Sequence, residues 1–396
     1  MSERLQVTLT TMSRFHYFEA ALQLERRRAL AAIYTGFARP FVRQYALPPR
    51  SIRTYPWFQT PLEALHRYGL VPPRWAERAG WHAKQALDRH VARTLPECHV
   101  YSALSSVGLQ AGLVARARGA VYVCDRLSSH IVYQDRLLRE AYEALELPYP
   151  GIDQRLMDQE CAEYDAADAV LVPSNFARRS FVERGVPEEK IHCIPFGVNV
   201  GAFQRTAPRD ESFRILFVGW LSVRKGLHHL LEAVGRAGLA KATLVLVGTK
   251  LPETEALLKR YPVANVEITG ALSRAEVAVQ MSRASVFVLP SIEEGFGMVM
   301  AEALACGCPV IASSHTGAAD FFTDGEEGLL FPSGDTDALA QNLVGLHDDP
   351  RRLAEMSEKA AARVKGLGGW DTYGDAAYRL YSDLASAAGH DIAPAD

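Results

Sequence analysis

Short apolar runs alternate with amphipathic stretches along almost the whole chain, the rhythm of an α/β protein with parallel sheets. In the first half the pattern predicts strands over residues 5–10, 30–35, 98–102, 120–124, 169–173 and 191–195. Helical periodicity falls between them, over 16–28, 77–93, 109–117, 131–145, 154–167 and 176–184. Residues 36–73, rich in Pro, Arg and aromatics, show no clear period and are expected to be irregular or to form short helices. The second half predicts strands over 214–219, 243–248, 266–270, 286–290, 309–313 and 328–331. Helices are expected over 227–237, 253–260, 274–283, 297–305 and 336–346, then from Pro350 to about Ala388 with a break at 366–369. A Gly/Pro/polar stretch, 196–212, separates the halves and suits a linker. Two doubly wound lobes facing a cleft follow from this pattern.

Length and composition narrow the class. A chain of 396 residues, 48% hydrophobic and 22% charged, has the length of two domains and an ordinary globular make-up. The apolar runs are strand-sized, and Arg4 is not followed by an apolar core with a small-residue cleavage site, so the expectation is a cytoplasmic chain. Six cysteines without Cys-x-x-Cys or zinc spacing argue against a structural metal or a disulfide framework. Net charge is −3, yet residues 1–100 carry 15 Lys/Arg against 7 Asp/Glu. That asymmetry points to a positive face for an anionic partner or an anionic membrane surface, or to no more than a solvated arginine-rich surface. No recognition-helix or ribonucleoprotein pattern accompanies the arginines, so nucleic acid is not expected as a partner.

The most informative segment is Val-Phe-Val-Leu-Pro-Ser-Ile-Glu-Glu-Gly-Phe-Gly-Met-Val-Met-Ala-Glu-Ala-Leu-Ala-Cys-Gly, residues 286–307. It reads as a buried strand, a glycine turn and a helix closed by Gly307. The turn would expose the N–H groups of Gly297, Met298 and Val299 at a helix N-terminus, a place for phosphate. Glu294 and Glu302 are eight residues apart; at about 100° per residue both carboxylates can face one side, separated by roughly 10–12 Å along a helical path. An acidic pair beside a phosphate-ready helix end describes a nucleotide-sugar site, although Gly295 and Gly297 could equally do no more than turn the chain.

Taken together, Glu-Gly-Phe-Gly, the second glutamate, Gly-x-Pro-Val-Ile-Ala-Ser at 307–313, Thr316-Gly317 and Asp324-Gly325-x-x-Gly328-Leu-Leu-Phe resemble retaining family-4 glycosyltransferases of GT-B fold. Phe217-Val-Gly-Trp-Leu-Ser-Val-Arg-Lys-Gly226, Ala167-Asp-Ala-Val-Leu-Val-Pro-Ser-Asn-Phe176 and Pro195-Phe-Gly-Val-Asn199 extend the resemblance to about half of the chain. It implies an acceptor-binding domain over 1–198, a nucleotide-sugar domain over 199–368, and a terminal segment, 369–396, packed back on the first domain. It also implies metal-free transfer of a hexose, from a UDP- or GDP-linked sugar to a hydroxyl acceptor, with no cofactor beyond that co-substrate. The acceptor could be lipid-linked and met at the inner face of a membrane. A nucleotide-sugar epimerase and a non-catalytic binding relative are the competing readings of the same architecture.

By the same resemblance Lys225 and Arg224, beyond Gly219, should stabilise the departing diphosphate. Trp220 stands where relatives usually carry an arginine, so Arg224 is expected to take over part of that role. Glu294 should hold donor-sugar hydroxyls and Glu302 the ribose, while Gly295, Phe296, Gly297 and Met298 offer backbone N–H groups. His130, with Asp125, Arg126 and Ser129 as neighbours, is placed beyond a strand where open sheets hold ligands, and is read as a functional imidazole, with a purely structural histidine as the alternative. The first strand–helix turn lacks the relatives' Gly-Gly pair; Thr11, Ser13, Arg14 and His16 are candidate acceptor contacts, with Ser129, or helix caps. Ser174 and Asn175 are expected to cap a helix and to make a hinge-side contact. Trp370, Tyr373, Tyr378 and Tyr381 are read as one packing face.

Overall fold

The computed structural model describes residues 3–12, 16–67, 73–198, 200–201 and 203–393. Two wholly parallel sheets form its frame. The first contains β1 (Val7–Thr11), β2 (Leu30–Thr35), β3 (Ile52–Thr54), β4 (Val100–Leu104), β5 (Val121–Asp125), β6 (Ala169–Val172) and β7 (Ile191–Cys193), in spatial order 3-2-1-4-5-6-7. The second contains β8 (Arg214–Val218), β9 (Thr243–Val247), β10 (Val266–Gly270), β11 (Val286–Leu289), β12 (Val310–Ser313) and β13 (Gly328–Phe331), in order 10-9-8-11-12-13. In both sheets the strand order reverses beside the first strand, the doubly wound arrangement that puts ligands at the strands' C-terminal ends. These are the two Rossmann-like lobes of a GT-B fold.

The central strands are apolar because helices cover both faces: β5, β6, β11 and β12 are buried at every position. Helix starts follow local polar chemistry. Ser273 and Glu276 form a reciprocal capping box, and Asp153, Ser174, Asp335 and Asp349 accept from backbone N–H groups at their helices' first turns. Most predicted elements lie within a residue or two of the expected bounds. The exception is 36–73, which contains the short edge strand β3 and the helix Gln59–Arg67; the next helix, Pro73–Thr94, also starts four residues earlier than expected.

The last helix, Trp370–Ala387, lies against the first helix, His16–Arg26. Its buried face is Tyr373, Gly374, Ala377, Tyr378, Tyr381 and Ala385, with Trp370 half-buried at the edge. Tyr381 and Tyr17 both reach the Ser102 hydroxyl, at 3.3 and 3.2 Å. Where the chain passes between lobes, a Cβ on Gly197 would stand 2.4 Å from Trp370 Cα, backbone against backbone. Phe196 next to it packs on Phe296 of the second lobe and Tyr373 of the last helix, so one apolar cluster runs through both lobes.

Gly197→Ala should therefore lower the thermal midpoint and speed proteolysis near residues 366–369, because neither backbone can yield cheaply. Gly345→Ala, in an exposed helix interior with open space around it, should instead be neutral or stabilising by up to about 1 kcal/mol. Equal midpoints for the two variants would contradict the close approach.

Candidate functional site

Three helices of the second lobe begin at the C-terminal edge of its sheet, each on a glycine without a side-chain cap: Leu227–Ala237 on Gly226, Met298–Ala305 on Gly297 and Ala318–Phe321 on Gly317. The glycines are required by contact. A Cβ on Gly226 would fall 1.8 Å from the Pro290 carbonyl oxygen, and one on Gly317 would fall 2.6 Å from that of Phe296. Gly226 and Gly297 also hold positive φ angles of 69° and 84°. Close packing thus brings the three helix starts together; Leu227 N–H is bonded to the Ser222 carbonyl and Ala318 N–H to the Thr316 hydroxyl, and the start of the helix Met298–Ala305 is the electrostatic setting for an anion.

At that edge, two consecutive cations meet two consecutive carboxylates. Lys225 pairs with Glu294, both mostly buried, and Arg224 pairs with Glu293 at 2.8 Å. The main chain ties the two loops together as well, since Ile292 N–H donates to the Arg224 carbonyl at 2.9 Å. Glu293, a residue to which the sequence reading assigned no role, is fully buried and is the most heavily bonded of the four. It accepts from the Ser128 hydroxyl (2.6 Å), the Ser129 hydroxyl and N–H (2.7 and 3.1 Å), and the Gln134 amide (2.7 Å), all from the first lobe. Burial alone would raise its pKa, but the Arg224 guanidinium and the serine donors outweigh burial and hold the carboxyl at about 2. Its signal was legible only in space, because Ser128 lies 165 residues away in sequence.

The lobes touch elsewhere along the same edge. Gly295 seats its backbone on Leu127 and Ser128, where a Cβ would be 2.1 Å from the Leu127 carbonyl oxygen. Ser174 donates to the Gly295 carbonyl while capping its own helix; Asn175, the first residue of that helix, does not cap it but donates across the lobes to Asp320. Phe176 stacks on His315 at 5.3 Å.

Lys225, Glu294, Gly295, Gly297 and Met298 thus share one edge, with Gly219 directly after β8 and before the cationic loop. Phe296 offers only its backbone there, because its ring is buried between Phe196 and Phe321. Arg224 is occupied by Glu293, and Trp220 is largely exposed. Glu302 sits in the helix Met298–Ala305, mostly buried, 3.6 Å from Arg274; burial raises its pKa and Arg274 opposes the rise. Ser129 is committed to Glu293, and His16 is fully buried against Asp125 at 2.9 Å and against Phe196. Ser13, Arg14 and Asn199 lie outside the described residues.

His130 is not brought to this edge. Its Nδ1 accepts from Val132 N–H at 3.2 Å, capping the helix Ile131–Ala144, and its ring packs between Tyr164 and Phe181. The ring borders a cavity that Asp165, Arg184 and Lys190 also line, and none of these contacts reaches Lys225 or Glu294. Burial, with the charges of Arg126 and Arg184, lowers its pKa to about 4. A depressed histidine stays neutral in the fold while the unfolded chain protonates near pH 6.5, so stability falls as pH drops from 6.5 toward 4. His130→Asn keeps a cap but does not titrate; its stability should be lower at pH 7 and flatter between pH 6.5 and 4 in urea unfolding. An unchanged pH slope would contradict the assignment.

Among the described residues no group of three or more His, Cys, Asp or Glu is placed to hold a metal ion, and no helix is long and apolar enough to cross a membrane.

Comparison with known proteins bears on the same lobe. Residues 202–363 match the family of glycosyl transferases group 1. Over 211 residues the chain is 30% identical to an MMP alpha-(1->4)-mannosyltransferase of Mycolicibacterium hassiacum, covering 52% of this chain and 51% of that protein. Over 305 residues it is 28% identical to a D-inositol 3-phosphate glycosyltransferase of Kribbella flavida, covering 70% of each. The aligned region is thus about half the length of the mannosyltransferase. Among solved structures, sucrose-phosphate synthase of Thermosynechococcus elongatus superposes with TM-score 0.69 at 22% identity, over 97% of this chain and 100% of that one. Anabaena Alr3699/HepE in complex with UDP-glucose superposes with TM-score 0.65 at 17% identity, over 96% and 100%. These two likenesses concern the fold.

Proposed function

We propose, from the match of residues 202–363 to glycosyl transferases group 1, that this chain transfers a hexose from a UDP- or GDP-linked sugar to a hydroxyl acceptor. One observation carries the reading: Lys225 and Glu294 are held together where three helix N-termini open. The donor diphosphate takes the Lys225 ammonium and the N–H groups at Met298, releasing Glu294 to accept from a sugar hydroxyl. Glu302 holds the ribose, with Arg274 fixing its carboxylate. As the bond between the anomeric carbon and the diphosphate oxygen breaks, that oxygen gains negative charge, which Lys225 and the helix ends stabilise. The acceptor oxygen bonds the anomeric carbon from the same face, and its proton passes to the departing oxygen, so configuration is retained without a carboxylate nucleophile. A covalent route needs two carboxyls about 5 Å apart facing the reacting carbon, whereas here Glu294 holds a sugar hydroxyl and Glu302, eight residues on, holds the ribose.

Lys225→Ala should lower donor turnover by about 10²–10³-fold, the usual effect of removing one preorganised charge from a transition state. Hydrolysis of UDP-glucose, GDP-mannose and their relatives, followed as released nucleotide, checks this. An epimerised donor would identify an isomerase, no turnover with any donor a binding relative, and wild-type rates in the variant would remove Lys225 from the site. UDP, GDP, ADP and TDP in a thermal-shift series identify the base through the largest stabilisation.

The partner on the acceptor side is inferred from the first lobe. Phe41, Trp57, Phe58 and Trp75 are exposed, Trp57 by 74%, in the same part of the chain as exposed Arg39, Arg43, Arg50 and Arg78. Amphipathic aromatics among cations suit an anionic membrane interface on the cytoplasmic face, where a lipid-linked acceptor would be met. Sedimentation with phosphatidylglycerol vesicles should recover the chain at low salt and release it at high salt. Equal recovery on neutral phosphatidylcholine vesicles would contradict that partner.

A further inference from the structure

Glu293 costs the fold a buried charge, yet buried ion pairs are poor sources of stability and apolar replacements often serve as well. Its partners indicate what it supplies. Ser128, Ser129 and Gln134 belong to the first lobe, Arg224 to the second, and Glu293 binds all four with two oxygens. Two of these partners are held from the interior of the first lobe: Arg126 donates to Gln134 (2.8 Å) and to the Ser129 carbonyl (3.0 Å), and pairs with buried Glu160 at 2.8 Å. Tyr164 donates to Glu160 at 2.6 Å. A continuous polar chain therefore runs from the interior of the first lobe through Glu293 to Arg224, one residue before Lys225. Glu293 itself lies one residue before Glu294.

We propose that Glu293 is a positioning residue that clasps the two lobes, setting the distance at which the Lys225–Glu294 edge faces the first lobe. The proposal rests on the transfer reading above only for its kinetic consequence; the clasp is a property of the fold. Its carboxylate draws the loop 126–130 onto the turn 292–297, where Gly295 already fits backbone to backbone against Leu127 and Ser128. Glutamine at this position keeps the size but cannot balance Arg224, and its NH2 would face either that guanidinium and the Gln134 amide or the Ser129 N–H, donor against donor. Because the carboxyl is held at about 2, the clasp stays charged throughout the working pH range.

The test uses the full chain as Glu293→Gln, as Ser128→Ala/Ser129→Ala, and as the triple variant. Small-angle scattering should give a larger radius of gyration than wild type for each, with far-UV circular dichroism unchanged. With UDP-glucose or GDP-mannose, whichever is turned over, kcat should fall by roughly 10²-fold while KM for the donor stays within about 3-fold, since misplacement affects the chemical step rather than donor binding. The triple variant should lose no more than the worse of its parents, because all three residues act through one contact. Unchanged scattering in the serine variant, or losses that add, overturns the proposal, and the serine variant decides it should Glu293→Gln not fold. Scattering changes without turnover by any variant or the wild type would leave the clasp standing and sink the transfer reading instead.

Discussion

The site depends on charge held where helices begin. Gly226, Gly297 and Gly317 have no side chains to cap their helices and none to keep neighbouring backbone away, so three N-termini open onto the same edge. Positive ends gathered in this way favour an anion, and Lys225 adds a full charge to their partial ones. Glu294 answers Lys225 and so keeps the ammonium aimed at the edge. A Cβ on Gly226 or Gly317 would run into neighbouring backbone, while Gly297 is held to glycine by its positive φ of 84° and by the Met300 side chain packed against it.

The same physics divides the labour between neighbouring residues. Two cations and two carboxylates occupy consecutive positions, yet Lys225–Glu294 faces the edge while Arg224–Glu293 is turned into the joint between lobes. Arg224 was expected to share the diphosphate with Lys225; its carboxylate partner and its reach toward Ser128 place it in the joint. Phe296, Phe196 and Tyr373 continue that joint in apolar form, tying the turn, the crossover and the last helix into one cluster.

How much of this was readable in one dimension follows from what each element answers to. Strands such as β11 and β12 are buried on both faces, so their runs of Val, Ile, Leu and Phe stand out between Gly and Pro. β3 does not, because a three-residue edge strand with one buried position leaves no period. Glu294 and Lys225 stand out in sequence through the motifs around them, and the structure pairs them because turn and helix start fix each locally. Glu293 carries no signal in sequence because its partners are brought to it by folding, and His130 is ambiguous in sequence because a loop beyond a strand holds both ligands and helix caps. Its apolar neighbours Tyr164 and Phe181, distant in sequence, are what distinguish the two roles.

A crystal structure of the chain grown with UDP or GDP bears most directly on the whole account. It should place the diphosphate within hydrogen-bonding distance of Lys225 Nζ and of the N–H groups at the start of the helix Met298–Ala305, with the ribose beside Glu302. A nucleotide bound in the first lobe, or one that leaves Lys225 paired with Glu294 and the helix ends untouched, would contradict it.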